Sequence, residues 1–208
     1  GNRHYWRSDY MINRRGDYYA SVRMHSTRTL AYEIVNSEGL RSYYRSDGFM
    51  QLVRDGEEYD AIYPTWNWRM LPGVTCAVEG KGWPKGDRRG KTDFVGGVSD
   101  GTLGAAAIHL DRNGVTARKA WFFLDGEIVC LGAGINSAKD APIVTTVNQC
   151  LLRGKVTLHN PADVIAKPNA TKKGILSALP TTVHHDGLAY WLKEGQRICL
   201  SAVEQTGG

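Results

Sequence analysis

Residues 29–48, TLAYEIVNSEGLRSYYRSDG, set a carboxylate and a carboxamide three positions apart, Glu33 and Asn36, between a Thr/Arg-rich approach and the pair Tyr43-Tyr44. A carboxylate holds a cation or orients a base, and a carboxamide both donates and accepts hydrogen bonds, so together they suit a polar, charged substrate. The same letters also make a good turn, NSEG, in which Glu38 is an alternative carboxylate. Arg28 in the approach adds a cation for substrate binding. YPTWNWRMLPG, residues 63–73, offers Trp66, Trp68 and Arg69 in a stretch that Pro64 and Pro72 keep out of strand interiors. Indoles there either stack on a sugar ring or fold back to cap a sheet. Residues 79–94, rich in Gly, Lys and Arg around Trp83, either touch an anion or form a solvated loop.

Other chemistries are absent from the pattern. There is no GxSxG elbow, no HExxH and no phosphate-cradling loop. His184-His185 sits before a turn, where adjacent strand residues point to opposite faces and cannot converge on one ion. Cys76, Cys130, Cys150 and Cys199 form no CxxC pair and have no His at zinc-ligand spacing, so neither a metal nor a cofactor is expected. Cys130 and Cys150 lie in apolar, β-branched segments and read as buried free thiols. The net charge of +5, from 26 Lys plus Arg against 21 Asp plus Glu, favours an acidic partner. Nucleic acid is not expected, for want of an RNP, KH or helix-turn-helix signature. No run of eighteen apolar residues is present to span a bilayer, and the sequon Asn169-Ala170-Thr171 carries no weight.

The elements that must position these residues read as strands. Asp47-Gly48, Asp55-Gly56, Asp100-Gly101, Asn113-Gly114, Asp125-Gly126 and Asp186-Gly187 are dipeptides that tolerate the positive φ of tight turns. Three are flanked by strand-like runs and predict hairpins: GFMQLVR with EEYDAIY, VTARKAWFFL with EIVCLGA, and TTVHH with LAYWL. The second should be central to its sheet, with Trp121 and Phe123 on one face and Phe122 on the other. YYASVRM and IVTTVNQ add strands, and LGAAAIHL reads as a buried strand despite its alanines. The fold class is therefore all-β and antiparallel, with almost no helix.

Six segments carry a resemblance as well: RSDYMINRRGDYYASVRMHSTRTLAYE, NSEGLRSYYRSDGFMQL, YPTWNWRMLPGVT, DFVGGVSDGTLGAAAIHL, ARKAWFFLDGEIVCLGAGI and VTTVNQC. In that order they resemble the central β domain of polysaccharide lyase family 8, the chondroitin, hyaluronate and xanthan lyases. The resemblance implies an antiparallel β-supersandwich over residues 1–208, incomplete at its C-terminal end, without the helical toroid and C-terminal β-sandwich of complete enzymes. It implies β-elimination on an acidic polysaccharide, in an extracellular or periplasmic bacterial setting, with the helical domain of the same parent chain as partner. Glu33 would hold the charge of an Arg/His pair from that domain, and Asn36 would hydrogen-bond the sugar or its carboxylate. Where many relatives read Asn-Gly-Glu-Asn, this chain has Asn36-Ser37-Glu38-Gly39. A non-catalytic carbohydrate-binding or structural module is the alternative on the same fold.

Overall fold

The computed structural model describes residues 1–79, 82–159, 175–178 and 182–205. The sequon at 169–171 and the last three residues lie outside them. The chain divides into two compact units, one of residues 1–57 with 66–149, the other of residues 58–65 with 150–208.

In the first unit, β1 (Asn2–Tyr5), β2 (Tyr10–Arg14), β3 (Tyr19–Arg23) and β4 (Phe49–Val53) make an antiparallel sheet in sequence order. β5 (Thr75–Ala77) pairs with a later strand. β6 (Val95–Ser99), β7 (Gly104–Arg112), β8 (Val115–Phe123) and β9 (Ile128–Ser137) make a second meander, and β10 (Ile143–Thr145) is the partner of β5. Strand alternation sends Met11, Ala20, Val22 and Met24 from the first sheet region against Ala106, Ile108, Leu110, Ala117, Trp121 and Phe123 of the second, closing a sandwich core. The second unit contains the sheet of β11 (Thr157–His159), β13 (Thr182–His185) and β14 (Leu188–Trp191), and the pair β12 (Ile175–Ala178) with β15 (Ile198–Ser201). The only helical segment among the described residues is one 3-10 turn, Ser42–Tyr44.

The turn dipeptides behave as their chemistry demands. Asn113-Gly114 and Asp186-Gly187 have positive φ at both positions, as a two-residue hairpin turn requires, and join β7 to β8 and β13 to β14. LGAAAIHL is strand, within β7. Three expectations are corrected. GFMQLVR supplies β4, but β4 pairs with β3, and EEYDAIY is a run of turns. Tyr59 and Ile62 are its buried apolar residues, a spacing of three that no strand face has. The Asp125-Gly126 hairpin forms, yet β9 is the edge of its sheet among the described residues, with Leu131 54% exposed. Cys130 on that strand is therefore exposed, not buried, and Cys150 is half-buried; all four cysteines are free thiols. An apolar run does not say how many of its faces will be covered.

β8 alternates cleanly, Val115, Ala117, Lys119, Trp121 and Phe123 inward and Phe122 outward. Trp121→Ala should thus destabilise the fold by roughly 3–5 kcal/mol, and Phe122→Ala by about 1 kcal/mol or less, in urea titrations. Equal losses would show that the strand is not oriented as described. Lys119 is the anomaly in that row, 6% exposed with its Nζ donating to the Gly73 carbonyl. Burial pulls its pKa down to about 8, partly offset by Asp47. A folded-state pKa below the unfolded one means that the charged form opposes folding at neutral pH and is relieved as pH rises from about 8 towards 10.5. The stability of the wild type relative to Lys119→Met should accordingly rise between pH 8 and 10, by at most about 1.4 kcal/mol per pH unit. A flat difference across that range would return Lys119 to an ordinary amine.

Candidate functional site

β3 and β4 are antiparallel neighbours, Arg23 opposite Phe49, and such strands are ordinarily joined by a few residues. Here the connection runs through all of residues 24–48 and carries Glu33 and Asn36. Its ends are pinned together where the Gly48 N–H donates to the Arg23 carbonyl at 3.0 Å. Everything between them must be held by something other than the β3–β4 ladder.

The outgoing leg is held by Asp9, a fully buried residue in a left-handed turn conformation (φ 50°). Its carboxylate accepts from Ser26 Oγ at 2.6 Å, Thr29 Oγ1 at 2.7 Å and Arg28 Nη2 at 2.7 Å, so three side chains of the leg converge on one acceptor. Arg28, a candidate for substrate, thus has its guanidinium engaged in the scaffold. The leg then lies along residues 86–92: the Thr27 N–H donates to the Thr92 carbonyl, the Ala31 N–H to Arg88, and the Tyr32 hydroxyl to Gly86.

The returning leg is held by charge. Tyr43 and Tyr44 are buried against each other edge to face, and Tyr32 stacks on Tyr43 at 5.1 Å. The Arg112 guanidinium lies over both Tyr43, at 4.1 Å, and Tyr32, at 5.3 Å. It also donates to the Tyr43 carbonyl at 2.9 Å and to the Asp87 carbonyl, and its Nε is 3.1 Å from Asp47 Oδ1. Asp47 faces His25 as well, Nδ1 at 3.3 Å. Burial raises the Asp47 carboxyl pKa, and Arg112, His25 and Lys119 oppose that rise. Gly48 beside it leaves no room for a side chain, since a Cβ there would stand 2.7 Å from the Trp121 ring.

Between these legs residues 33–41 project into solvent. Val35 and Glu38 form a β-bridge around Asn36 and Ser37, both at positive φ (50° and 66°), which makes the tip a two-residue turn. Below it Ser42 Oγ donates to the Gly39 carbonyl at 2.6 Å and lies 3.2 Å from the Glu33 carbonyl. Gly39 is required there, because a Cβ would meet the Glu33 carbonyl at 2.5 Å. The Glu33 carboxylate and the Asn36 carboxamide have no hydrogen-bond or ion-pair partner among the described residues. Ile34, Val35 and Leu40 around them are 41–56% exposed. The tip therefore offers a free anion, a free amide and an apolar rim on a backbone fixed from both sides.

Glu33 and Asn36 both lie on the exposed 33–41 tip, whereas the other candidates have contacts of their own. Trp66 is 3% exposed, its indole N–H donates to the Gln149 carbonyl at 3.1 Å, and its ring meets Phe49 and Trp68 edge to face. It caps the fold and is not open to a sugar ring. Trp68 is half-buried, and Arg69 stacks over Trp83 at 4.8 Å while donating to the Gly82 carbonyl. Among the described residues no group of His, Cys, Asp and Glu is arranged to hold a metal. The residues that the sequence hid are Asp9, Asp47 and Arg112. Asp47 was visible only as the first half of a turn dipeptide.

The family model for polysaccharide lyase family 8, super-sandwich domain, matches residues 1–208. The chain is 39% identical to chondroitinase-AC of Pedobacter heparinus over 98% of its own length and 29% of that protein. It is 28% identical to the hyaluronate lyase HylB of Enterococcus faecalis, over 100% of its length and 22% of that protein. A solved chondroitinase AC lyase, described from enzyme–oligosaccharide complexes, superposes over the whole chain with a TM-score of 0.88 at 39% identity, 31% of that structure being covered. The Streptomyces coelicolor A3 chondroitin AC lyase in complex with chondroitin sulphate superposes over 90% of the chain with a TM-score of 0.72, at 27% identity and 24% coverage of that structure. The chain thus spans under a third of the length of these relatives. On its fold and on the match over its whole length, the chain belongs to polysaccharide lyase family 8 and is built as the super-sandwich domain of that family.

Proposed function

We propose that this chain is the β-domain portion of a bacterial polysaccharide lyase that cleaves a uronic-acid-containing polysaccharide of the chondroitin or hyaluronan kind by β-elimination. In this reading the 33–41 tip forms one wall of a substrate cleft, and a helical domain of the same parent chain forms the other. The observation that carries it is the unpartnered Glu33 carboxylate beside Asn36 on a tip whose two legs are locked. A free carboxylate and an apolar rim so placed suit a facing wall that carries cations. Relatives that act on such polymers support the substrate class.

β-Elimination takes the proton from C5 of the uronate and expels the oxygen on C4, so the uronate carboxylate must be neutralised as negative charge develops beside it. Glu33 is suited to orient or hold the cationic groups that do this, not to take the C5 proton, since its carboxylate stands exposed to water on the tip. Asn36 is suited to donate its amide N–H to the uronate or a sugar hydroxyl. Trp68 and Arg69 are the other groups proposed to touch the polymer, whereas Arg28 and Trp66 serve by fixing the loops. The setting proposed is extracellular or periplasmic, where such polymers occur; no helix among the described residues is long and apolar enough to cross a membrane.

In the parent enzyme, Glu33→Gln should lower kcat by about 100-fold, the scale of one lost electrostatic stabiliser, with KM changed little. Asn36→Ala should raise KM or lower kcat according to whether its hydrogen bond is equal in both states or stronger in the transition state. The assay is the absorbance of the unsaturated uronate product. The 208-residue chain alone should generate none, and a rise abolished by Glu33→Gln would place a complete catalytic site within it. Full turnover of Glu33→Gln in the parent would remove Glu33 from the mechanism.

A further inference from the structure

The outer face of the β1–β4 sheet carries side chains that neither the core nor the 33–41 tip uses. Register sets Tyr5, Tyr10, Arg23 and Phe49 side by side across the four strands, with Ser21 and Gln51 in the next outward row. Tyr10, Ser21, Arg23, Phe49 and Gln51, with Arg45 from the returning leg, line a depression of about 140 Å³.

Two cations face this depression without a counter-charge. Arg23 is half-buried and gives its Nε to Ser46 Oγ at 3.1 Å, which leaves its terminal nitrogens over. Arg45 is exposed. Among the described residues neither has a carboxylate at ion-pair distance, whereas Arg15, Arg28, Arg112 and Arg153 each have one. Burial first, then the nearby Arg45 charge, holds the Arg23 guanidinium below its ordinary pKa, so the two are close enough to repel. Tyr10 and Tyr19 share one hydrogen bond between their hydroxyls at 3.1 Å, which leaves the second hydroxyl proton to be donated elsewhere. Gln51 adds an amide, and the rings of Tyr10 and Phe49 offer flat apolar area of the kind a sugar ring packs on. Two like charges with neutral donors and an aromatic border are an arrangement that an oxyanion relieves and a cation or apolar ligand does not.

We propose that this depression is an anion subsite that takes a sulfate ester or uronate carboxylate of an acidic oligosaccharide, on residues other than Glu33 and Asn36. That the ligand is an oxyanion rests on the two guanidiniums; that the oxyanion belongs to a glycan rests on the function proposed above. The subsite would hold a stretch of polymer on the sheet without taking part in its cleavage.

Isothermal titration of the protein at low ionic strength with a chondroitin sulfate hexasaccharide, a hyaluronan hexasaccharide and inorganic sulfate tests this. Arg45 is exposed, so Arg45→Gln leaves the fold intact; it should weaken hexasaccharide binding by about tenfold, the scale of one charge-assisted hydrogen bond, and Arg45→Lys should restore most of the loss. Arg7→Gln removes the same charge from another exposed position and should change affinity by less than about twofold. Arg23→Gln should match Arg45→Gln, with its melting temperature checked alongside. If the sulfate ester is the group held, chondroitin sulfate and inorganic sulfate lose affinity in Arg45→Gln and hyaluronan does not bind; if the carboxylate is held, both hexasaccharides lose it alike. No binding by the wild type overturns the subsite, as do equal losses in Arg45→Gln and Arg7→Gln, which would reduce the effect to net charge. Because the readout is binding without turnover, an inactive parent enzyme would defeat the lyase reading and leave this one standing, and the reverse holds equally.

Discussion

Arg112 is 2% exposed, yet its guanidinium reaches Asp47, the Tyr43 carbonyl, the Asp87 carbonyl and the faces of two tyrosines. Three stretches of chain that share no strand ladder therefore meet at one side chain. A buried ion pair contributes little net stability, because desolvation offsets most of the attraction. What it does is exclude alternatives: a displaced loop would leave Asp47 or Arg112 charged and unpaired in a core that also holds Lys119, a penalty of roughly 3–5 kcal/mol. The geometry of the returning leg is thus enforced by the cost of every other geometry.

Asp9 does the same for the outgoing leg by a different chemistry. It is a single buried carboxylate satisfied by two hydroxyls and a guanidinium, with no second buried charge to balance. The loop is in consequence clamped by two anions, one hydrogen-bonded and one ion-paired. The tip they support is almost bare of internal side-chain bonds. Rigid legs and an unsatisfied tip are what a preorganised site requires, since groups fixed beforehand lose no freedom when a ligand arrives.

The parts of this fold that could be read from the chain are those whose cause is local. Asn113-Gly114 and Asp186-Gly187 turn because few residues accept positive φ, and Trp121, Phe122 and Phe123 alternate because a strand has two faces. EEYDAIY misled because its composition suits a strand while Tyr59 and Ile62 are buried at turn spacing, and Cys130 misled because nothing in an apolar run marks it as an edge. The turn at Asn36-Ser37, three residues past Glu33, was legible for the same local reason. Arg112 and Asp47 were not, since their pairing joins distant positions and each looks by itself like an ordinary charged residue beside a turn. Arg28 and Trp66 had the side chains for recognition but are engaged by Asp9 and Gln149, partners that only the folded chain reveals.

The 24–48 excursion leaves and rejoins the sheet at residues that are ladder neighbours, so the strands register as they would around a short hairpin. Closing a longer or shorter loop across that gap changes the entropy only logarithmically, by about 0.6 kcal/mol for each doubling of length. Insertions and deletions between Tyr32 and Ser42 are therefore nearly neutral to the scaffold while they reshape what the tip presents. Such a segment is an evolvable cassette: descendants of one sheet can diversify their specificity here, and a tip transplanted between relatives should keep its bearing so long as the clamping residues travel with it.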